Sequence, residues 1–440
     1  MRSNKKKFSL RAVALAAVVG SLALASACGG SGSSSNNNNG GNTGGQVIAG
    51  PGPNVVTLVA DSGPASLANL PQPFAYLNGS FISVNVCVPG TSTCQTIDHL
   101  LVDTGSFGLR LLDSSSGGFF NRAQVPLVQE TDSSNNPIGE CVQFVDGSFF
   151  WGPVATADVK ISSEVASSVP VHIVGDATFT AAHSVPSDCS SNGAGTDADT
   201  LASLGANGII GVGNLQYDCG SGCAPGSSPI PPRAYYSCPT TGCINALVPL
   251  TQQGQNPVAL FATDNNGVIV ELPAPGSSGA GTLTGALVFG IGTQSNNALG
   301  SANVLTVGLG QSNFLDITTT YQATPYSQSF IDSGSNAYFF LDSNATGISQ
   351  CGDAASFYCP SSTQNLTATN AGQNGTSTTV TFSIANADNL FNSSNVLFNN
   401  IGGPNSGVFD WGLPFFMGRN VFVSIAGKTA PGASGPYVAY

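Results

Sequence analysis

Two short segments constrain this chain more than anything else in it: Asp103-Thr104-Gly105-Ser106 and Asp332-Ser333-Gly334-Ser335. Each follows an apolar run, Leu100-Leu101-Val102 in one case and Phe330-Ile331 in the other, as a buried strand ending at the Asp would. They lie in opposite halves of the 440 residues, so a fold that uses both must bring similar loops together from distant parts of the chain. Two carboxylates so placed share one proton, because like charges a few ångströms apart cannot both ionise cheaply. Such a pair activates water without a metal or a Ser or Cys nucleophile. One Asp-Thr-Gly in a chain with 55 glycines is most simply a surface turn. Two copies, each after an apolar strand and each followed by Ser, are far more specific.

The rest of the chain reads as mainly β. Segments such as Phe81-Ile82-Ser83-Val84-Asn85-Val86 and Val268-Ile269-Val270-Glu271-Leu272 are short, β-branched and bounded by turn residues. Helical periodicity is scarce. A boundary between two β-units is expected near residue 250, giving 47–250 with the first Asp motif and 251–440 with the second. Residues 47–75 are either a propeptide or simply the first strands.

The N-terminus reads as a targeting segment over residues 1–27: Arg2, Lys5, Lys6, Lys7 and Arg11 precede the apolar stretch Ala12–Ala25, with small residues before Cys28. The polar run over residues 28–46, rich in Gly, Ser and Asn, reads as a flexible tether. Loss of the five basic residues leaves six Lys and Arg against 23 Asp and Glu, a formal charge of −17. That balance argues against nucleic acid and anionic lipid heads as partners. Eleven cysteines less Cys28 leave ten, an even number that suggests five disulfides in an oxidising compartment. Local spacing suggests Cys87–Cys94 and Cys351–Cys359 and leaves the middle six unassigned. A zinc reading of Cys219, Cys223, Cys238 and Cys243 is weaker, since the three His do not fall at ligand spacing. No Gly-x-Ser-x-Gly occurs, so a nucleophile elbow lacks its signal.

On the two Asp motifs and four further segments in order, the chain resembles the pepsin-like aspartic peptidases. Phe144-Val145-Asp146-Gly147-Ser148 looks like that family's flap, with Phe144, Gly147 and Ser148 in it. Gly208-Ile209-Ile210-Gly211 looks like the strand threaded under the first Asp loop. Leu287-Val288-Phe289-Gly290 resembles the strand opening the second lobe. Trp411 to Arg419 resembles its closing element, with either Gly412 or Gly418 as the threading glycine. Cys28 after small residues resembles the lipidated Cys of bacterial lipoproteins. The C-terminal stretches around Phe409-Asp410-Trp411-Gly412 and Gly435-Pro436-Tyr437 resemble an uncharacterised family of bacterial lipoproteins related to these peptidases.

The resemblance implies a bilobal pepsin-like β-fold with the site between two lobes, catalytic Asp103 and Asp332, and no metal or organic cofactor. Thr104 and Ser333 would bond across the loops, Gly105 and Gly334 would allow close approach, and Ser106 and Ser335 would orient the carboxyls. It implies an aspartic endopeptidase acting on extended peptide or protein substrates, monomeric, lipid-anchored in the bacterial cell envelope through Cys28, with Gly29 pointing to the outer membrane. The alternative is a non-catalytic relative that holds a peptide or protein partner in the same cleft. Two departures favour that alternative. Phe144 stands where the family carries a flap Tyr, with Phe149 or Trp151 available to fill the space, and Arg110 stands where it favours Trp. An Arg facing the carboxyls would lower their pKa values; one pointing away would not.

Overall fold

The computed structural model describes residues 46–227, 232–309 and 315–440. The targeting segment, Cys28 and nearly all of the tether lie outside the described residues. Strands dominate, in a 17-stranded sheet, a seven-stranded sheet and a small two-stranded one. Helices are single turns or little more, such as Ala177–Ala182, capped by the Asp176 carboxylate.

The larger sheet draws on both halves of the chain. Val55–Asp61 pairs antiparallel with Leu283–Phe289 on one side and with Gly79–Cys87 on the other. Gly267–Leu272, Arg419–Ser424 and Tyr437–Ala439 extend the same sheet. Strands on both sides of residue 250 therefore share one hydrogen-bonded network. The seven-stranded sheet lies wholly between Ile317 and Trp411. Its outer hairpin, Gln364–Ala371 with Ser377–Ile384, alternates buried and exposed positions. Alternation of this kind marks one face on the core and one in water, with Thr, Asn and Ser supplying the wet face.

Asp103 ends a strand and Asp332 directly follows one, and the two strands sit in the same local arrangement. Cys94–Asp103 is followed by Phe107–Leu112, and Gly208–Val212 runs parallel to the first and antiparallel to the second. Thr324–Ile331 leads to Asp332 and is followed by Tyr338–Leu341, with Asn405–Trp411 parallel to the first and antiparallel to the second. The threading strands need glycine where they pass the loops. A Cβ on Gly211 would lie 2.5 Å from the Phe107 nitrogen, and one on Gly412 would lie 2.2 Å from the Ala337 carbonyl oxygen. Gly412, not Gly418, is thus the threading glycine of the second arrangement; Gly418 has a φ of +85° and lies against Ala274.

Ten cysteines form five disulfides: Cys87–Cys94, Cys141–Cys189, Cys219–Cys223, Cys238–Cys243 and Cys351–Cys359. Both locally suggested pairs are present. With all four in disulfides, Cys219, Cys223, Cys238 and Cys243 have no thiolate for zinc. Among the described residues no helix is long and apolar enough to cross a membrane. A cross-link stabilises mainly by restricting the unfolded chain, more so for longer loops. Replacing both cysteines of Cys141–Cys189, which closes 48 residues, should cost about 4 kcal/mol by the chain-entropy rule. Replacing those of Cys238–Cys243, which closes five, should cost about 2 kcal/mol. Denaturant unfolding of the two double Ser variants checks that order.

Candidate functional site

The two Asp loops meet. The Thr104 hydroxyl donates to the Ile331 carbonyl at 3.1 Å, and the Ser333 hydroxyl donates to the Val102 carbonyl at 2.7 Å. Each hydroxyl also accepts the other loop's backbone: Ser333 N–H reaches Thr104 Oγ1 at 3.0 Å, and Thr104 N–H reaches Ser333 Oγ at 3.1 Å. Four reciprocal bonds, all buried, fix the separation of the loops. Gly334 is where they come closest, since a Cβ there would sit 2.8 Å from the Asp103 carboxyl carbon. Any side chain at that position would push the loops apart.

The carboxyls of Asp103 and Asp332 are neighbours across Gly334, where a Cβ would lie 2.8 Å from Asp103 Oδ1 and 3.2 Å from Asp332 Oδ1, and neither has exposed surface. Their cradles match. Gly105 N–H donates to Asp103 Oδ1 at 2.7 Å, and Gly334 N–H donates to Asp332 Oδ1 at 2.8 Å. The Ser106 hydroxyl donates to Asp103 Oδ2, and the Ser335 hydroxyl lies 2.8 Å from Asp332 Oδ2. Burial raises both pKa values. At Asp332 the like charges of Asp103 and then Asp410 add to the rise, while at Asp103 the interactions with Asp332, the Ser106 hydroxyl and Gly105 N–H oppose it. Both carboxyls are thus held toward the protonated form, Asp332 the more strongly. The half-buried backbone of Gly105 opens onto a cavity of about 130 Å³ lined mainly by apolar residues, among them Phe107, Ile317, Ile331 and Val438.

Arg110 does not face this pair as a free cation. It is buried, its Nη1 donates to the Phe107 carbonyl at 2.8 Å, and its Nη2 lies 3.4 Å from Glu140 and 3.7 Å from Asp218. Asp218 also accepts from the Tyr235 hydroxyl. The guanidinium lowers Asp103 less than Asp332, the Ser106 hydroxyl or Gly105 N–H does.

The hairpin of Ile138–Gln143 and Ser148–Ile161 turns at Phe144 to Gly147, with Gly147 at a φ of +83° and Ser148 N–H and hydroxyl bonded to Asp146. Phe144 packs edge-on to Phe150 in an apolar cluster with Tyr76, Phe81 and Ile209. Phe149 and Trp151 point the other way, into a cluster with Phe179, Tyr236 and Cys141. Side chains alternate across a strand, so these two cannot fill the space at Phe144. Tyr76 is the ring with a hydroxyl in this region. Its hydroxyl is buried without a hydrogen-bond partner, and its pKa is raised by burial and by the nearby charges of Asp103, Asp332 and Asp146. Asn78 holds this segment in place, donating to the Asn336 and Phe398 carbonyls and accepting from Phe398 N–H. Sequence reading missed Tyr76; its one signal is a lone Tyr in an apolar stretch just before Gly79–Cys87, the strand that pairs with the one ending at Asp103.

A family model described as a protein of unknown function (DUF3443) matches residues 51–440. No curated protein matches.

The two raised pKa values carry a stability consequence. A carboxyl whose folded pKa is raised supports the fold below its unfolded pKa, and that support is lost as pH rises through the folded value. Asp332→Asn removes the group with the larger rise. It should therefore gain stability over wild type as pH climbs above the ordinary Asp range, by at most about 1.4 kcal/mol per pH unit. Denaturant unfolding across pH checks this; a difference that stays constant with pH contradicts it.

Proposed function

The chain belongs to the DUF3443 family, and we propose that this protein is an aspartic endopeptidase with a two-lobed, pepsin-like fold. The observation that carries this reading is the buried Asp103–Asp332 contact, with matching Gly and Ser donors on each side and reciprocal Thr104–Ser333 bonds beneath it. Internal repetition supports the fold reading: each Asp strand has its own threading strand in the same orientation. In this account Asp103 takes a proton from a water held between the carboxyls, while protonated Asp332 polarises the scissile carbonyl. The pair then returns a proton to the leaving amine. The turn at 144–148 is the flap, and the Tyr76 hydroxyl supplies the donor that Phe144 lacks. Substrate is an extended peptide lying past Gly105, with an apolar side chain in the adjoining cavity. Both carboxyls are closed from solvent, so substrate enters only when the flap or the Tyr76 segment moves aside. We further propose a monomer held by a lipid on Cys28 in the bacterial cell envelope, at the outer membrane, needing no metal, organic cofactor or nucleic acid. The five disulfides suit an oxidising compartment of that kind.

The closure of the carboxyls favours one second reading, a cleft that binds a peptide or protein partner without cutting it. Incubation with a denatured protein from acid to neutral pH, with pepstatin as control, separates the two. The peptidase reading expects cleavage that pepstatin blocks and Asp103→Asn abolishes; an intact substrate throughout excludes it. Both pKa values are raised, so the active window should lie at mildly rather than strongly acid pH, with the alkaline limb set by Asp332. Tyr76→Phe should lower kcat/KM roughly tenfold to a hundredfold, the loss of one bond to a charged group worth ~1.5–3 kcal/mol. Steady-state kinetics of a Tyr76→Phe variant that unfolds like wild type checks this.

A further inference from the structure

We propose that Asp410 is a positioning residue for Asp332, a third buried carboxyl that holds a proton and exchanges it with Asp332 through the Ser335 hydroxyl. The proposal deepens the peptidase reading and rests on it for its catalytic meaning. Its geometry stands alone. Ser335 Oγ lies 2.8 Å from Asp332 Oδ2 and 2.6 Å from Asp410 Oδ2. A serine hydroxyl has one proton and can donate to only one of them. A second contact that short between bare acceptors would be repulsive, so one of the carboxyls must bring its own proton.

Asp410 is the carboxyl suited to do so. It is 1% exposed, and its Oδ1 has no hydrogen-bond partner. Ionised, it would leave a bare charged oxygen in the protein interior. The charge acting on it is that of the Asp103 carboxylate, of the same sign. The titratable side chains on the two flanking strands are the phenols of Tyr326 and Tyr338. Burial, with Asp103 adding to it, pushes the Asp410 pKa well up, against the pull of the Ser335 bond. The first Asp loop has no such partner. Asp410 sits across from Phe330, two residues before Asp332; the corresponding residue across from Leu101, two before Asp103, is Ile209. Behind Ser106 there is therefore an apolar side chain, and behind Ser335 a carboxyl.

At rest, Asp410 Oδ2–H donates to Ser335 Oγ, and Ser335 Oγ–H donates to Asp332 Oδ2. Asp332 keeps its own proton on the side facing Asp103, so three carboxyls carry two protons. When Asp332 gives that proton up, a concerted shift restores it. The Asp410 O–H and Ser335 O–H bonds break, a new Ser335 O–H and an Asp332 O–H form, and Asp410 is left ionised. The shift itself conserves protons; the one Asp332 gave up is on the substrate, and the three carboxyls then carry one.

Asp410→Asn keeps a donor toward Ser335 but has no proton to release. The test titrates the carboxyl carbons of the full chain, labelled with 13C-aspartate, alongside the pH profile of kcat/KM. In wild type, Asp410 should remain protonated above the ordinary Asp range. In Asp410→Asn the Asp332 titration should move down by about one pH unit, the scale of a coupled pair, and the alkaline limb of kcat/KM should move with it. A merely structural role would leave both in place. An Asp410 that ionises in the ordinary range, or an Asp332 titration unchanged by Asp410→Asn, overturns the proposal. If wild type cleaves nothing, the peptidase reading fails while the carbon titration still decides the proton exchange. If Asp410→Asn does not fold, the wild-type titration of Asp410 decides alone.

Discussion

The crossed bonds between Thr104 and Ser333 are what the rest of the site depends on. Two buried carboxyls repel when ionised and cost several kcal/mol each to desolvate. Left free, the loops would separate and let water in. The Thr and Ser hydroxyls prevent this by making each loop the hydrogen-bond partner of the other's backbone, so neither can relax alone. The electrostatic cost then appears as raised pKa values rather than as a wider gap, and the pair keeps a proton that two separate aspartates would release.

The surroundings divide the labour between the carboxyls. Behind Asp103, Ser106 is backed by the apolar Ile209 strand, and Arg110 lies against Glu140 and Asp218. Behind Asp332, Ser335 is backed by another acid, Asp410. The loops are alike in backbone and hydroxyls, and unlike in the charge behind them. In the proposed chemistry that difference suits Asp103 to act as the base and Asp332 as the proton holder.

Much of this was legible in the sequence because it is local. The Asp-Thr/Ser-Gly-Ser pattern specifies hydroxyls, a close-approach glycine and carboxyls within four residues, and the preceding apolar runs mark the strands. Cys87–Cys94 and Cys351–Cys359 were legible for the same reason. What escaped depends on contacts between distant residues. Tyr76 reaches the site because Asn78 ties its segment to Asn336 and Phe398, which no spacing rule anticipates. Arg110 read as a threat to the carboxyls because its counter-charges lie 30 residues away at Glu140 and further still at Asp218. Asp410 was in plain view within Phe409-Asp410-Trp411-Gly412, but its meaning comes only from the parallel register that sets it behind Ser335. The sharing of the larger sheet by strands on both sides of residue 250 was hidden likewise, since pairing of Val55–Asp61 with Leu283–Phe289 leaves no mark in either segment.

The central claim is that Asp103 and Asp332 form one acid unit holding a single proton between them. Neutron diffraction from a deuterated crystal grown at mildly acid pH would observe it directly. The account predicts one deuteron between the facing oxygens, bonded to Asp332. Two deuterons on the facing oxygens, none at all, or carboxyls standing apart with separate solvent shells would contradict it.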